Sequence, residues 1–117
     1  VFLAGDAAHV NNPVGGLGLN CGIHDAMELA ETLDLVTSAP ADEGVLDRYE
    51  RRRRTINIEY VQQQTVANKK RLEERDPKAR QAYFDELRHT AADPILHRQF
   101  LMRTSLIGSV RKARRIE

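Results

Sequence analysis

Cysteine is almost absent from this 117-residue chain. Cys21 stands alone, so no disulfide can close within the chain, and that usage sits easily with a cytoplasmic setting. Long apolar runs are missing too. Nothing approaches the roughly 18 consecutive apolar residues of a membrane-spanning helix. Charge of one sign is also lacking: 18 basic residues face 17 acidic ones, leaving a formal net charge of +1. That balance gives no overall electrostatic argument for nucleic acid as a partner. No His-Glu-x-x-His occurs and no cysteine–histidine cluster, so no metal site is expected among His9, His24, His89 and His97. No Gly-x-Ser-x-Gly surrounds a serine nucleophile. Internal repeats and low-complexity segments are absent as well.

What is present is concentrated in Val1 to Leu33. Val1, Phe2 and Leu3 are apolar and β-prone, and Gly5 punctuates them, so a short strand is expected there. Asp6 then stands at the strand's carboxyl end, where open α/β sheets place their ligand contacts. Pro13-Val14-Gly15-Gly16-Leu17-Gly18 follows, too glycine-rich for a helix interior. After it, Ile23, Met27, Ala30 and Leu33 recur at helical spacing. A helix N-terminus carries unpaired N–H groups and roughly half a positive charge, which favours an anion or a polarised carbonyl. An ionised aspartate only accepts hydrogen bonds, so Asp6 suits a sugar or polyol hydroxyl rather than a phosphate. The loop is not a P-loop, because no Gly-Lys-Ser/Thr closes it. Nor is it the dinucleotide turn: Gly16 and Gly18 are spaced for one, but the third position is Cys21, and Gly22 comes one residue late.

Gly5-Asp6-Ala7-Ala8-His9, then Pro13-x-Gly15-Gly16-x-Gly18-Leu19-Asn20, then Gly22-Ile23-x-Asp25-Ala26 closely resembles the second flavin motif of FAD-dependent aromatic hydroxylases, the single-component flavoprotein monooxygenases similar to p-hydroxybenzoate hydroxylase. The resemblance is specific over about the first third of the chain. It implies that Asp6 binds the ribityl chain of FAD and that Pro13 lies beside the isoalloxazine ring, near the substrate. It implies that Gly15, Gly16, Gly18, Leu19 and Asn20 present backbone amides to the pyrimidine end of the ring. Two departures are visible: Asn12-Pro13 stands where many relatives have two prolines, and Leu17 where a polar residue is common. Both bear on the loop's stiffness, so the cofactor is better defined by the resemblance than the substrate is.

The first helix is expected from about Asn20, as its N-cap, to about Leu35, with its leucine-rich seam toward a sheet and Glu28 and Glu31 on the wet face. Asp25 reads as a partner of the helix dipole, or of a charge outside the chain. Cys21 reads as buried against the sheet. Thr37-Ser38-Ala39-Pro40 ends the helix, and Asp42 to Gly44 forms a loop. One long helix follows from about Val45 to Glu74. Its Arg51-Arg52-Arg53-Arg54 run reads as a solvated face paired with Asp47 and Glu50, and Tyr49-Glu50-Arg51 resembles the Tyr-Glu-x-x-Arg stretch that often follows the flavin helix in the family. Asp76-Pro77 and Asp93-Pro94 each pair an N-cap with a proline at the first helical position. Helices are expected from about Pro77 to Thr90 and from Pro94 to Arg103 or beyond. Gly108 is expected to break the last one, and Phe100, Leu101 and Met102 to pack rather than to form a pocket.

The fold class expected is mainly α: one short N-terminal strand, a glycine loop and about four helices, forming part of an α/β Rossmann-like FAD-binding fold in a longer protein. Residues 1–37 would be the C-terminal strand-loop-helix portion of the FAD-binding domain and 38–117 a helical region, with the GxGxxG turn and the substrate sheet upstream. The resemblance implies a monooxygenase that uses FAD, NADH or NADPH, and O2 on a small aromatic, phenolic substrate. Two alternatives stay open: a related flavoprotein acting on a non-aromatic or polyketide-like substrate, and a helical interaction module with no cofactor.

Overall fold

The computed structural model describes residues 1–38 and 44–117. After an extended start, a 3₁₀ turn at Gly5–Ala7 leads into a loop and then α1 (Leu17–Ser38). A long helix follows in three parts: α2 (Gly44–Ile56), a π segment (Asn57–Gln62) and α3 (Gln63–Glu73). Three shorter helices complete the chain, α4 (Pro77–Ala92), α5 (Pro94–Thr104) and α6 (Ile107–Ala113). The described residues are mainly α, as the sequence implies, and the family's full-length fold is Rossmann-like. The loop expected at Asp42 to Gly44 and the helix end at Ala39-Pro40 fall largely on residues 39–43, outside the described residues.

The N-terminal strand is not formed among the described residues. The backbone at Ala4 is extended (φ −142°, ψ 152°), yet a strand exists only through ladder partners, and no second extended segment lies beside it. Tyr49 takes over one of the polar groups left open: its hydroxyl donates to the Leu3 carbonyl at 2.8 Å.

Two helix faces meet at the centre. From the long helix, Tyr49, Arg53, Asn57, Val61 and Thr65 are all buried. They are spaced by four, whereas an α-helix turns every 3.6 residues, so such a stripe drifts about 40° per step. The π segment, with its wider i→i+5 turns, takes up that drift in mid-stripe. From α1 come Leu17, Cys21, Asp25 and Thr32, again buried. The apolar cluster is small: Leu17, Cys21, Val61 and Leu106, with Tyr60 packed on it. The radius of gyration, 17.3 Å, exceeds the value of about 13 Å for a compact chain of this length. The helices are therefore strung along an axis rather than gathered around one core.

The apolar seam of α1, expected to face a sheet, does not pack on the long helix. Leu19, Ile23, Met27 and Leu33 are all exposed. The side that packs on the long helix is the mixed one, because Asp25, Cys21 and Glu28 find specific partners there. Glu28, expected on the wet face, pairs with Arg52 at 2.8 Å.

Asp76 and Asp93 both cap as the sequence implies. Asp76 accepts from Lys78 and Ala79, and Asp93 from Ile95 and Leu96. The break before α6 comes at Leu106, in the left-handed region at φ 61°, two residues ahead of Gly108. Gly108 is instead a close-approach point: a Cβ there would lie 3.1 Å from the Met102 carbonyl oxygen. Phe100 and Met102 line the groove beside it with Tyr60 and Leu96. The N–H bonds from Leu96 and Ile95 hold the Asp93 carboxyl below its ordinary pKa. A folded-state pKa below the unfolded one means that the cap's support is present near neutral pH and fades as pH falls through the folded value. A carboxyl NMR titration should place the Asp93 midpoint below that of an unfolded aspartate; a midpoint at or above it would contradict the cap.

Candidate functional site

The site residues read from the sequence occupy one continuous segment, Gly5 to Asn20. Asp6 is the central residue of the 3₁₀ turn and is exposed, and its carboxylate has no hydrogen-bond partner among the described residues. Ala8 and His9 both donate their backbone N–H to the Gly5 carbonyl, at 2.9 and 3.0 Å, which closes the turn tightly. Gly5 has φ +59°, and its Cα would lie 3.2 Å from a Cβ placed on Gly22. Turn and helix thus touch backbone to backbone: a side chain on Gly22 would crowd the turn, and the positive φ at Gly5 favours glycine there.

Pro13 opens a second tight turn. The Gly16 N–H donates to the Pro13 carbonyl at 3.0 Å, with Gly15 at φ +100°. Gly16 follows at φ +64°, and α1 begins at once at Leu17. Gly18, Leu19 and Asn20, read as loop and N-cap, therefore lie in the first turn of the helix. Asn20 is not the cap; its side-chain amide donates back to the Gly16 carbonyl at 3.4 Å. The unpaired N–H groups of a helix belong to its first four residues, so the donor cluster is Leu17 to Asn20.

The three loop glycines differ. A Cβ on Gly15 would lie 2.6 Å from the Asn68 amide nitrogen of α3, so Gly15 is pressed against the long helix. At Gly16 and Gly18 a Cβ would meet nothing within 4 Å. Their backbone is open to a flat group laid against it. Asn11 ties the loop down further by donating to the Thr65 hydroxyl at 3.1 Å.

Beneath the turn lies a buried polar cluster that sequence reasoning missed. Asp25 is 1% exposed. Its Oδ2 accepts from the Gly5 N–H at 2.9 Å and from His9 Nε2; its Oδ1 accepts from Arg53 Nε at 2.5 Å. Arg53, read as part of a solvated face, is buried, and its guanidinium also reaches the Cys21 carbonyl and Sγ, each at 3.4 Å. Of the neighbouring arginines only Arg54 meets the expectation, exposed and paired with Glu50 at 3.6 Å; Arg51 donates to the Glu117 carbonyl, and Arg52 is half-buried between Glu28 and the Ile116 carbonyl. The Tyr-Glu-x-x-Arg pattern was the available signal, since its arginine position is Arg53.

Cys21 is buried against the long helix, beside Val61 and Arg53, and its thiol is pushed up in pKa, first by burial and then by the Asp25 charge. His24 is pushed down by burial and by Arg53. His9, Cys21 and Asp25 bring three ligand-type atoms within 4.8 Å of one another. The Arg53 guanidinium lies in the same cluster, its Nε 2.5 Å from Asp25 Oδ1.

The segment thus combines an exposed carboxylate on a tight turn with open glycine backbone at a helix start. The chain belongs to the FAD binding domain family, whose sequence profile matches residues 1–64. It is 40% identical over 102 residues to a para-nitrophenol 4-monooxygenase of Pseudomonas sp. (strain WBC-3), covering 87% of this chain and 25% of that protein. It is 51% identical over 63 residues to a 4-methyl-5-nitrocatechol 5-monooxygenase of Burkholderia sp., covering 54% of the chain and 12% of that protein. A rifampicin monooxygenase of Streptomyces venezuelae is 48% identical over 61 residues, 52% of the chain and 13% of the protein. The chain thus spans a quarter or less of the length of these relatives. No solved structure matches it. No helix among the described residues is long and apolar enough to cross a membrane.

FAD fits what the residues offer. Gly16 and Gly18 leave room for a planar ring against the backbone, and Asp6 presents a free acceptor for a polyol hydroxyl. Gly15 does not share that room, because Asn68 fills it.

Proposed function

We propose that this chain supplies the ribityl and isoalloxazine side of the FAD site in a monooxygenase that hydroxylates a small aromatic, phenolic molecule with NADH or NADPH and O2. Bound FAD would supply the redox chemistry. The chain's own part is to bind and orient. Asp6 accepts a hydrogen bond from a ribityl hydroxyl. The N–H groups of Gly18, Leu19 and Asn20 favour negative charge at the ring's pyrimidine end, helped by the start of α1, while Gly16, whose own N–H is tied to Pro13, leaves room for the ring. Pro13 stiffens the loop beside the ring, on the substrate side. Gly15 holds the loop to α3 through its contact at Asn68. Residues 1–37 then form the end of the FAD-binding domain and residues 38–117 a helical region braced against it, in a cytoplasmic enzyme.

The observation that carries this reading is open backbone at Gly16 and Gly18 combined with a free carboxylate at Asp6. The phenolic substrate is favoured because the para-nitrophenol relative covers 87% of the chain, whereas the rifampicin relative covers 52%. The helical module without cofactor has no comparable use for an exposed Asp6.

The test is Asp6→Ala in the full-length protein. Loss of a charge-assisted hydrogen bond should weaken FAD binding by roughly 1.5–3 kcal/mol, about 10- to 150-fold, while the exposed position spares the fold. Titration of the apoprotein with FAD reads the effect. Unchanged affinity in a folded variant would remove the ribityl assignment.

A further inference from the structure

We propose that Asp25 and Arg53 are positioning residues for Asp6, setting the place of its carboxylate through the turn that carries it. The inference rests on the FAD reading above.

The geometry is a clasp. Oδ2 of Asp25 takes the Gly5 N–H at 2.9 Å on one side of Asp6 and His9 Nε2 on the other. A single carboxylate oxygen therefore pins both flanks of the turn whose middle residue is Asp6. Among the described residues the Asp6 carboxylate has no hydrogen-bond partner, so the turn's backbone sets where it points. The clasp is in turn fixed from outside: Arg53 Nε holds Oδ1 at 2.5 Å, and Tyr49, one turn earlier on the same helix, holds the Leu3 carbonyl at 2.8 Å. Residues 3, 5 and 9 are thus gripped from α1 and α2, while residue 6 is left exposed between them. An ion pair has no need of this arrangement to stabilise a fold, since apolar residues of similar volume often do as well. A carboxylate, however, supplies two oxygens at fixed separation, one for the turn and one for the arginine, which no apolar pair can imitate.

A purely structural pair and a positioning pair differ in how they combine with Asp6. If Asp25 acts through Asp6, its effect on cofactor affinity must vanish once the Asp6 carboxylate is gone. The experiment uses three variants of the full-length protein, Asp6→Ala, Asp25→Asn and the double variant, each checked for folding and titrated as apoprotein with FAD. Asparagine keeps the shape but leaves one oxygen to serve two sets of donors. Asp25→Asn should weaken FAD binding roughly tenfold, as for one charge-assisted bond. In the Asp6→Ala background the same change should shift affinity less than twofold. The Gly5 amide should also exchange faster in Asp25→Asn.

Equal factors with and without Asp6, or unchanged affinity in a folded Asp25→Asn, overturn the inference and leave the FAD reading standing. Unchanged affinity in Asp6→Ala overturns the ribityl assignment and the inference with it. Should Asp25→Asn fail to fold, Arg53→Lys takes its place in the same three-way comparison. It keeps a cation opposite Oδ1 but loses the planar guanidinium that also reaches Cys21.

Discussion

Arg53→Met should destabilise the protein by about 3–5 kcal/mol, the range for leaving one member of a buried ion pair without its partner. Asp25 is 1% exposed, and among the described residues no lysine or other arginine lies within 4.0 Å of its carboxylate. Methionine restores most of the volume, so the loss is electrostatic rather than a cavity. The diagnostic step is the second substitution. Adding Asp25→Asn to Arg53→Met removes the stranded charge and should recover a large part of the stability. Urea unfolding of the single and double variants measures this. A double variant less stable than Arg53→Met alone would mean that the packing of the arginine stem, rather than its charge, is what counts.

Gly16→Val should cost about 100-fold in productive turnover, the scale of a misplacement of about 1 Å at a reacting centre. The position makes two demands at once. With φ at +64°, a β-branched residue is strained there whatever the space. The space itself is empty in this chain, since a Cβ meets nothing within 4 Å. If the glycine serves the turn alone, valine lowers the melting temperature and leaves the folded enzyme normal. If the flavin occupies the space, valine expels or shifts it, and NAD(P)H is oxidised with peroxide released instead of hydroxylated product. Product formed per NAD(P)H oxidised, flavin content and melting temperature together separate the two. Full flavin and full coupling in a variant that merely melts earlier would leave the turn as the only role.

The features legible in the sequence share a local cause. Asp76-Pro77 and Asp93-Pro94 announce helix starts because cap chemistry needs only neighbours in sequence. The glycine loop was legible because positive φ at Gly15 and Gly16 demands the residue type. The misreadings are tertiary in origin. α1 begins at Leu17, three residues before the expected Asn20, with Gly18 and Gly22 helical despite poor propensity. Gly22 is needed there so that Gly5 can touch it. The central interface escaped notice because it is polar. Hydrophobic periodicity finds Ile23, Met27 and Leu33, which lie off this interface, and passes over Asp25, Arg53 and Asn57, which are buried in it. One arginine in a run of four carries no local mark of burial; its partner lies 28 residues away.

The π segment at Asn57–Gln62 gives the long helix the character of a keyed shaft. Before the wide turn, Tyr49 and Arg53 engage the first eight or so residues of the chain through Leu3 and Asp25. Beyond it, Thr65 and Asn68 engage the glycine loop at Asn11 and Gly15. From Tyr49 to Asn68 the axis runs roughly 28 Å at 1.5 Å per residue. Removing a single residue between the two sets would rotate one against the other by about 100°. The Gly5–Ala7 turn and the glycine loop would then be indexed to different faces. The shaft thus gauges the two parts of the site against each other, and its length and angular phase, more than the identity of its exposed side chains, are what a change in this helix must preserve.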